Sequence, residues 1–275
     1  MRILIICLLQ LFLIPCANAD DLAARRIISL GPALTEQLYL LEAQDALVGV
    51  TTYCQNPPQA QEKEKVGTVI EANLEKIIQL APDLVLATPL TNPEAVRKLE
   101  SLGIRVKLFP RANDFSQICA QFGELARLVG KEDRARAVIE QAQLEVEALR
   151  QTVQDQPKVK VFVQVGANPL FAATRDSFIN DFIEFASGIN IVSATRSGSY
   201  SREQVLKDNP DVIVIISMGI VGAQEKEIWE KYQSLQAVQN GRIYVVDDYL
   251  FCSPTPLSFA QGLKKMIEML HPDHG

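Results

Sequence analysis

Two short stretches of this chain carry the same chemistry in the same place. NLEKIIQLAPDLVL at 73–86 aligns position for position with SREQVLKDNPDVIV at 201–214, and each puts a glutamate, Glu75 or Glu203, at the second residue of a short capped helix. A carboxylate there is stabilised by the helix dipole by about 0.3–1 kcal/mol, so by itself each glutamate reads as a helix stabiliser or as an exposed acidic contact. Asp83 and Asp211 follow prolines at the turn into a strand, where a carboxylate acts first as a turn former. Arg111, Arg175 and Arg196 could meet an anionic ligand. The chain has only two histidines, His271 and His274, both in a terminal tail. That argues against a site for bare zinc or manganese. A Gly-rich phosphate loop, a Gly-x-Ser-x-Gly elbow and a His-Glu-x-x-His helix are all missing from the sequence, which weighs against the commoner enzyme classes.

The elements that must position these groups alternate between short apolar strands and amphipathic helices, the pattern of parallel sheets covered by helices. Strands are predicted at 26–30, 46–50, 84–87, 104–109, 158–165, 212–217 and 242–246. Asn92 caps a helix that begins at Pro93 and stops at Gly103, and Ser177 caps one that stops at Gly188. Asp114 opens a helix to Val129, and a last helix runs from about Leu257 to Leu270. Between the halves, apolar residues at 135, 138, 139, 142, 146, 149 and 153 form one stripe on a helix from Glu132 to about Val153. Such a rod is roughly 33 Å long, enough to join two lobes. The expected organisation is an export signal at 1–19, a first α/β lobe at 20–130, a linking helix at 131–157 and a second α/β lobe at 158–275.

Residues 1–19 have the three-part order of a secretory signal: Arg2, an apolar run at 3–14, and small residues at Ala17-Asn18-Ala19. Cys16 offers lipid attachment as the lesser alternative. The remaining cysteines, Cys54, Cys119 and Cys252, then face an oxidising compartment, and their odd number leaves at least one thiol unpaired within the chain. The formal charge is −6, one unit more negative without Arg2, with no basic stripe, which excludes a nucleic-acid partner.

Taken in order and spacing, RIISLGPALTE at 26–36, VGVTTYCQNPP at 48–58, NLEKI at 73–77, QVGANP at 164–169 and SREQV at 201–205 resemble the helical-backbone periplasmic binding proteins for cobalamin, ferric siderophores and haem. The vitamin B12-binding members resemble the chain most, over nearly all of its mature length. The resemblance implies two Rossmann-like three-layer lobes joined by one long rigid α-helix, with small closure around a ligand in the cleft between them. It implies a monomer that is not an enzyme, acts in the periplasm and delivers its ligand to an ABC permease and ATPase complex in the inner membrane. Glu75 and Glu203 would be the docking contacts to that permease.

By residue match the resemblance points to Pro32, Ala33, Tyr53, Val69, Asn168, Phe171, Tyr200 and Asp247 or Asp248 as the ligand surface. Cys54 and Cys252, in loops expected to border the cleft, could pair, touch the ligand's metal, or be two half-buried thiols. No resident cofactor is implied, since cobalt or iron would arrive with the ligand. The chain departs from the B12-binding pattern at Val69 and Ser197, where that pattern has tryptophans, which moves the expectation toward a smaller corrinoid or a ligand with less flat apolar surface. An α/β enzyme and a permease-free surface binder or sensor are the alternative readings.

Overall fold

A computed structural model describes residues 23–192, 198–217 and 221–272. The first sheet is parallel, in the order β2-β1-β3-β4, built from β1 (Ile27–Ser29), β2 (Leu47–Val50), β3 (Leu84–Ala87) and β4 (Arg105–Leu108). In the second, β5 (Val159–Gly166), β8 (Val212–Ser217) and β9 (Ile243–Asp247) run parallel. The free edge of β5 is shared by β7 (Gly188–Asn190), parallel to its first half, and β6 (Phe171–Ala172), antiparallel to its second. Reading β7, β5, β8 and β9 across this sheet gives the same order as β2, β1, β3 and β4 across the first. The sequence repeat is therefore a repeat of topology. In open parallel sheets of this kind ligands bind beyond the carboxyl ends of the strands, where the winding direction changes. Those points lie between β1 and β3 and between β5 and β8.

Each sheet is buried on both faces, because successive strand residues point opposite ways. Ile27, Leu84 and Leu86 pack with α1 (Pro32–Leu40), α4 (Phe115–Val129) and α5 (Glu132–Val153), whereas Ile28 and Val85 pack with Ile77 of α2 (Leu74–Gln79) and Leu99 of α3 (Pro93–Ser101). The second lobe repeats this arrangement. Val161, Val163, Val212 and Val214 face α6 (Phe178–Phe185) and α11 (Pro256–Leu270). Phe162, Ile213 and Ile215 face α7 (Arg202–Asp208), α8 (Val221–Glu230) and α9 (Gln236–Gln239). The junction is helical: Ala135 and Val138 of α5 belong to the first core, Ala142, Val146 and Val153 to the second.

Caps place the helix starts as the sequence predicts. The side chains of Asn73, Asn92, Asp114, Ser177 and Ser201 each accept a backbone N–H in the first turn of their helix. Gly188 departs from expectation: α6 ends at Phe185, and Gly188 opens β7 instead of stopping the helix. A side chain there would meet Ile183 and Leu270 at 2.7–2.9 Å, so close packing accounts for this glycine. His271 is not a tail residue either. It is buried, with its Nε2 3.0 Å from the Ala186 carbonyl. Arg196, Ser197 and His274, together with the signal and Cys16, lie outside the described residues.

Candidate ligand-binding cleft

The carboxyl ends of the two sheets face each other across a cross-lobe contact. The Tyr249 hydroxyl, on α10 (Asp248–Cys252) just past β9, donates to Glu36 Oε1 on α1, just past β1, at 2.9 Å. Burial raises the Glu36 carboxyl above its ordinary range, partly offset by that hydrogen bond. Burial first, and then the neighbouring carboxylate, pushes the Tyr249 phenol up as well. Sequence reasoning missed both residues. Their pairing spans 213 positions, yet Glu36 is one helical turn beyond Pro32 and Tyr249 adjoins Asp248.

Exposed apolar side chains gather at these same strand ends: Tyr53 (62 % exposed), Ile70 (63 %) and Leu90 (66 %) in the first lobe, Phe171 (40 %) and Tyr249 (39 %) in the second. Water-exposed rings and aliphatic chains grouped at a topological switch point are what a partly apolar ligand would cover. Leu90 and Ile70 are further residues missed from sequence; the second sits beside the half-buried Val69. Pro32 and Ala33 are half-buried at the start of α1, and Asn168 is exposed in the loop after β5. Asp247 accepts the Tyr249 backbone N–H at 2.7 Å and so caps α10, which Asp248 begins.

Two candidates turn away from this surface. Cys54 is fully buried, its sulfur 3.1 Å from the Thr35 and Thr51 hydroxyls, because the turn after β2 folds it under Tyr53. Tyr200 packs its ring on Phe162 and donates its hydroxyl to Asp208 at the far end of α7, and burial raises its phenol first of all. Cys54 and Cys119 are free thiols, so neither of them pairs with Cys252. Cys119 is buried, which pushes its thiol up to about 12. Arg111 reaches Ser177 at 3.4 Å. Arg175 instead lines a depression of about 450 Å³ with Arg150, Lys158 and Glu184, by the amino ends of β5 and β7 and away from the cleft loops. No group of His, Cys, Asp and Glu suited to a metal ion occurs among the described residues.

The acidic pair sits as the repeat predicts. Glu75 and Glu203 are the second residues of α2 and α7, and both are exposed. Hydrogen bonds from its own backbone amide and then from the Ser201 hydroxyl hold the Glu203 carboxyl below its usual range. Behind it Arg202 Nη2 meets the buried Glu225 at 2.7 Å. Asp83 and Asp211 are structural: they accept backbone N–H groups from Arg26 and Lys160, tying the start of β3 to β1 and of β8 to β5.

Comparison with known proteins gives this geometry a family. A vitamin B12-binding protein of Salmonella typhi is 36 % identical over 196 residues, covering 70 % of this chain and 73 % of that one. An uncharacterized ABC transporter substrate-binding lipoprotein of Bacillus subtilis is 29 % identical over 258 residues, covering 90 % and 81 %. The solved structure of a possible iron-binding, periplasmic solute-binding protein from Staphylococcus epidermidis superposes with a TM-score of 0.81 at 27 % identity, over 90 % of this chain and 99 % of that one. The periplasmic binding protein profile itself matches residues 27–250, and the chain belongs to that family.

Proposed function

We propose that the chain is the substrate-binding component of an ABC importer, which captures a metal chelate between its lobes and hands it to a permease and ATPase complex in the inner membrane. The chelate is a corrinoid, a ferric siderophore or haem, so that any cobalt or iron belongs to the cargo. The observation that carries this reading is the pair of facing strand ends, each fringed with exposed apolar side chains and bridged by Tyr249 and Glu36. Family membership favours a binding role over a catalytic one. In this reading the chain is exported and cleaved near Ala19, with lipid attachment at Cys16, the alternative a lipoprotein relative speaks for, as the lesser option; no described helix is long and apolar enough to cross a membrane. In this reading the protein acts as a monomer. Its ligand surface comprises Pro32, Ala33, Tyr53, Val69, Asn168, Phe171, Asp247, Asp248 and Cys252.

The experiment is native mass spectrometry and a visible absorption spectrum of protein purified from its own periplasm, followed by thermal shifts with cobinamide, cobalamin, haemin and ferric siderophores. The expected result is a saturable shift with one chelate class, amounting to about 2.7 kcal/mol at a hundredfold excess over Kd. Absence of a shift with every class would sink the reading. Glu75 and Glu203 serve as the docking contacts. Charge reversal at both, Glu75→Lys with Glu203→Lys, is expected to abolish uptake while leaving chelate affinity within twofold, and retained uptake would remove that assignment.

A further inference from the structure

The open side of α1 leads directly to one carboxylate. Leu34, Thr35, Gln37 and Leu38 are buried, whereas Pro32, Ala33 and Glu36, spaced by one helical turn, are only half-buried. Glu36 therefore shares the face of α1 that opens at the strand ends. Its Oε1 accepts the Tyr249 hydroxyl, while Oε2 has no hydrogen-bond partner among the described residues, on a side chain that is only half-buried. Tyr249 spends its only proton on Glu36, so toward a ligand its oxygen offers lone pairs alone. Asp247 adds an exposed carboxylate at the N-cap of the same short helix. Among the described residues no cation pairs with Glu36 or Asp247. Arg111 is directed to Ser177, and Arg175 lies at the other end of its sheet. This corner of the cleft is made of hydrogen-bond acceptors and negative charge, drawn from both lobes.

We infer that Glu36, hydrogen-bonded across the cleft to Tyr249, is a specificity-determining acceptor that selects a chelate whose rim carries amide or amine donors over one whose rim carries carboxylates. The inference rests on the chelate-binding reading and narrows its ligand class. A donor on the ligand completes the bonding of Oε2. A carboxylate brought to the same place meets like charge with no proton to share, and that repulsion discriminates as strongly as a favourable contact does.

The test compares cobinamide, a corrinoid ringed by amides, with haemin, which carries two propionates. Dissociation constants are measured by absorbance titration on the full mature chain, unaltered and as Glu36→Gln and Tyr249→Phe. The unaltered protein is expected to prefer cobinamide. Glu36→Gln, which keeps the size but swaps an acceptor for a donor, is expected to reduce that preference at least tenfold. Tyr249→Phe, which leaves the carboxylate in place, is expected to keep the preference within threefold. A Glu36→Gln preference within twofold of the unaltered protein overturns the inference, as does a Tyr249→Phe protein that loses preference equally. Preference of the unaltered protein for haemin overturns it while leaving the chelate reading intact. Binding of neither chelate also overturns the inference and leaves the chelate reading to be decided by the ferric siderophores.

Discussion

At the scale of single residues, the most consequential group outside the cleft is a buried polar chain in the second lobe. The Trp229 indole donates to Gln164 Oε1 at 2.7 Å, Gln164 Nε2 donates to Glu225 at 2.7 Å, and Arg202 Nη2 donates to the same Glu225 oxygen. The Arg202 guanidinium also lies over the Trp229 ring at 4.6 Å, while its Nη1 is buried with no partner. Because Arg202 immediately precedes Glu203, this chain fixes the first turn of α7 and keeps the neighbouring carboxylate directed outward. Glu225→Ala would strand a half-buried guanidinium, whose Nη1 is sealed from solvent, and a buried amide donor, so a loss approaching about 3–5 kcal/mol is expected. Trp229→Phe would orphan only the Gln164 carbonyl and should cost about 1–3 kcal/mol. Urea unfolding measures both, and a loss under about 1 kcal/mol for Glu225→Ala would mean that solvent already screens the pair. None of these contacts was legible in the sequence, where Gln164 and Glu225 look like ordinary polar positions 61 residues apart. The same holds for Cys54: its neighbour Tyr53 is exposed as expected, but the backbone bond from Cys54 N–H to the Thr51 carbonyl turns the thiol inward.

At the scale of elements, what was readable was local. Caps, proline starts and the stripe on α5 involve residues within four positions of one another, so the helix starts at Pro93, Phe115, Glu132 and Arg202 follow from the sequence. The strands β6 and β7, of two and three residues, are too short for any periodicity to mark them and exist only because β5 offers an open edge. The repeat runs deeper than its letters. Ala81 and Asn209, equivalent in the two copies, both take left-handed backbone at the helix exit, with φ of 44° and 47°. Alanine gains nothing from that conformation, which costs an L-residue about 1–2 kcal/mol. Asn209 compensates, accepting the Gln236 N–H on Oδ1 at 2.9 Å. Ala81→Gly should therefore stabilise the chain by up to about 1 kcal/mol, after the added freedom of glycine in the unfolded state. Asn209→Gly should destabilise it by about 0.5–1.5 kcal/mol through the lost hydrogen bond. Thermal unfolding of the two variants decides the matter, and shifts of the same sign would refute the account.

At the scale of the whole molecule, the question is how far the lobes move when the cleft fills. The sequence indicates one connecting helix, and α5 does run its 22 residues through both cores. The structure adds a second tie, because Phe115, Ile118 and Cys119 of α4 belong to the second core while Phe122, Leu125 and Val129 belong to the first. Phe115 stacks on Phe259 of α11 at 4.5 Å, and its backbone N–H donates to Asp181 of α6 at 2.8 Å. Ile139 and Leu257 touch both cores at once. A wide hinge would have to pull these interdigitated side chains apart, and packed interfaces resist such continuous deformation. Closure is accordingly expected to be small: the radius of gyration measured by solution X-ray scattering should change by less than about 1 Å between free and chelate-saturated protein. Phe115→Ala removes the ring that pins α4 to α11, so its ligand-dependent change should exceed that of the unaltered chain, at a stability cost of about 3–5 kcal/mol. A contraction of more than about 2 Å in the unaltered protein would show that the two helical ties do not hold the lobes. An equal response in both proteins would place the constraint in α5 alone.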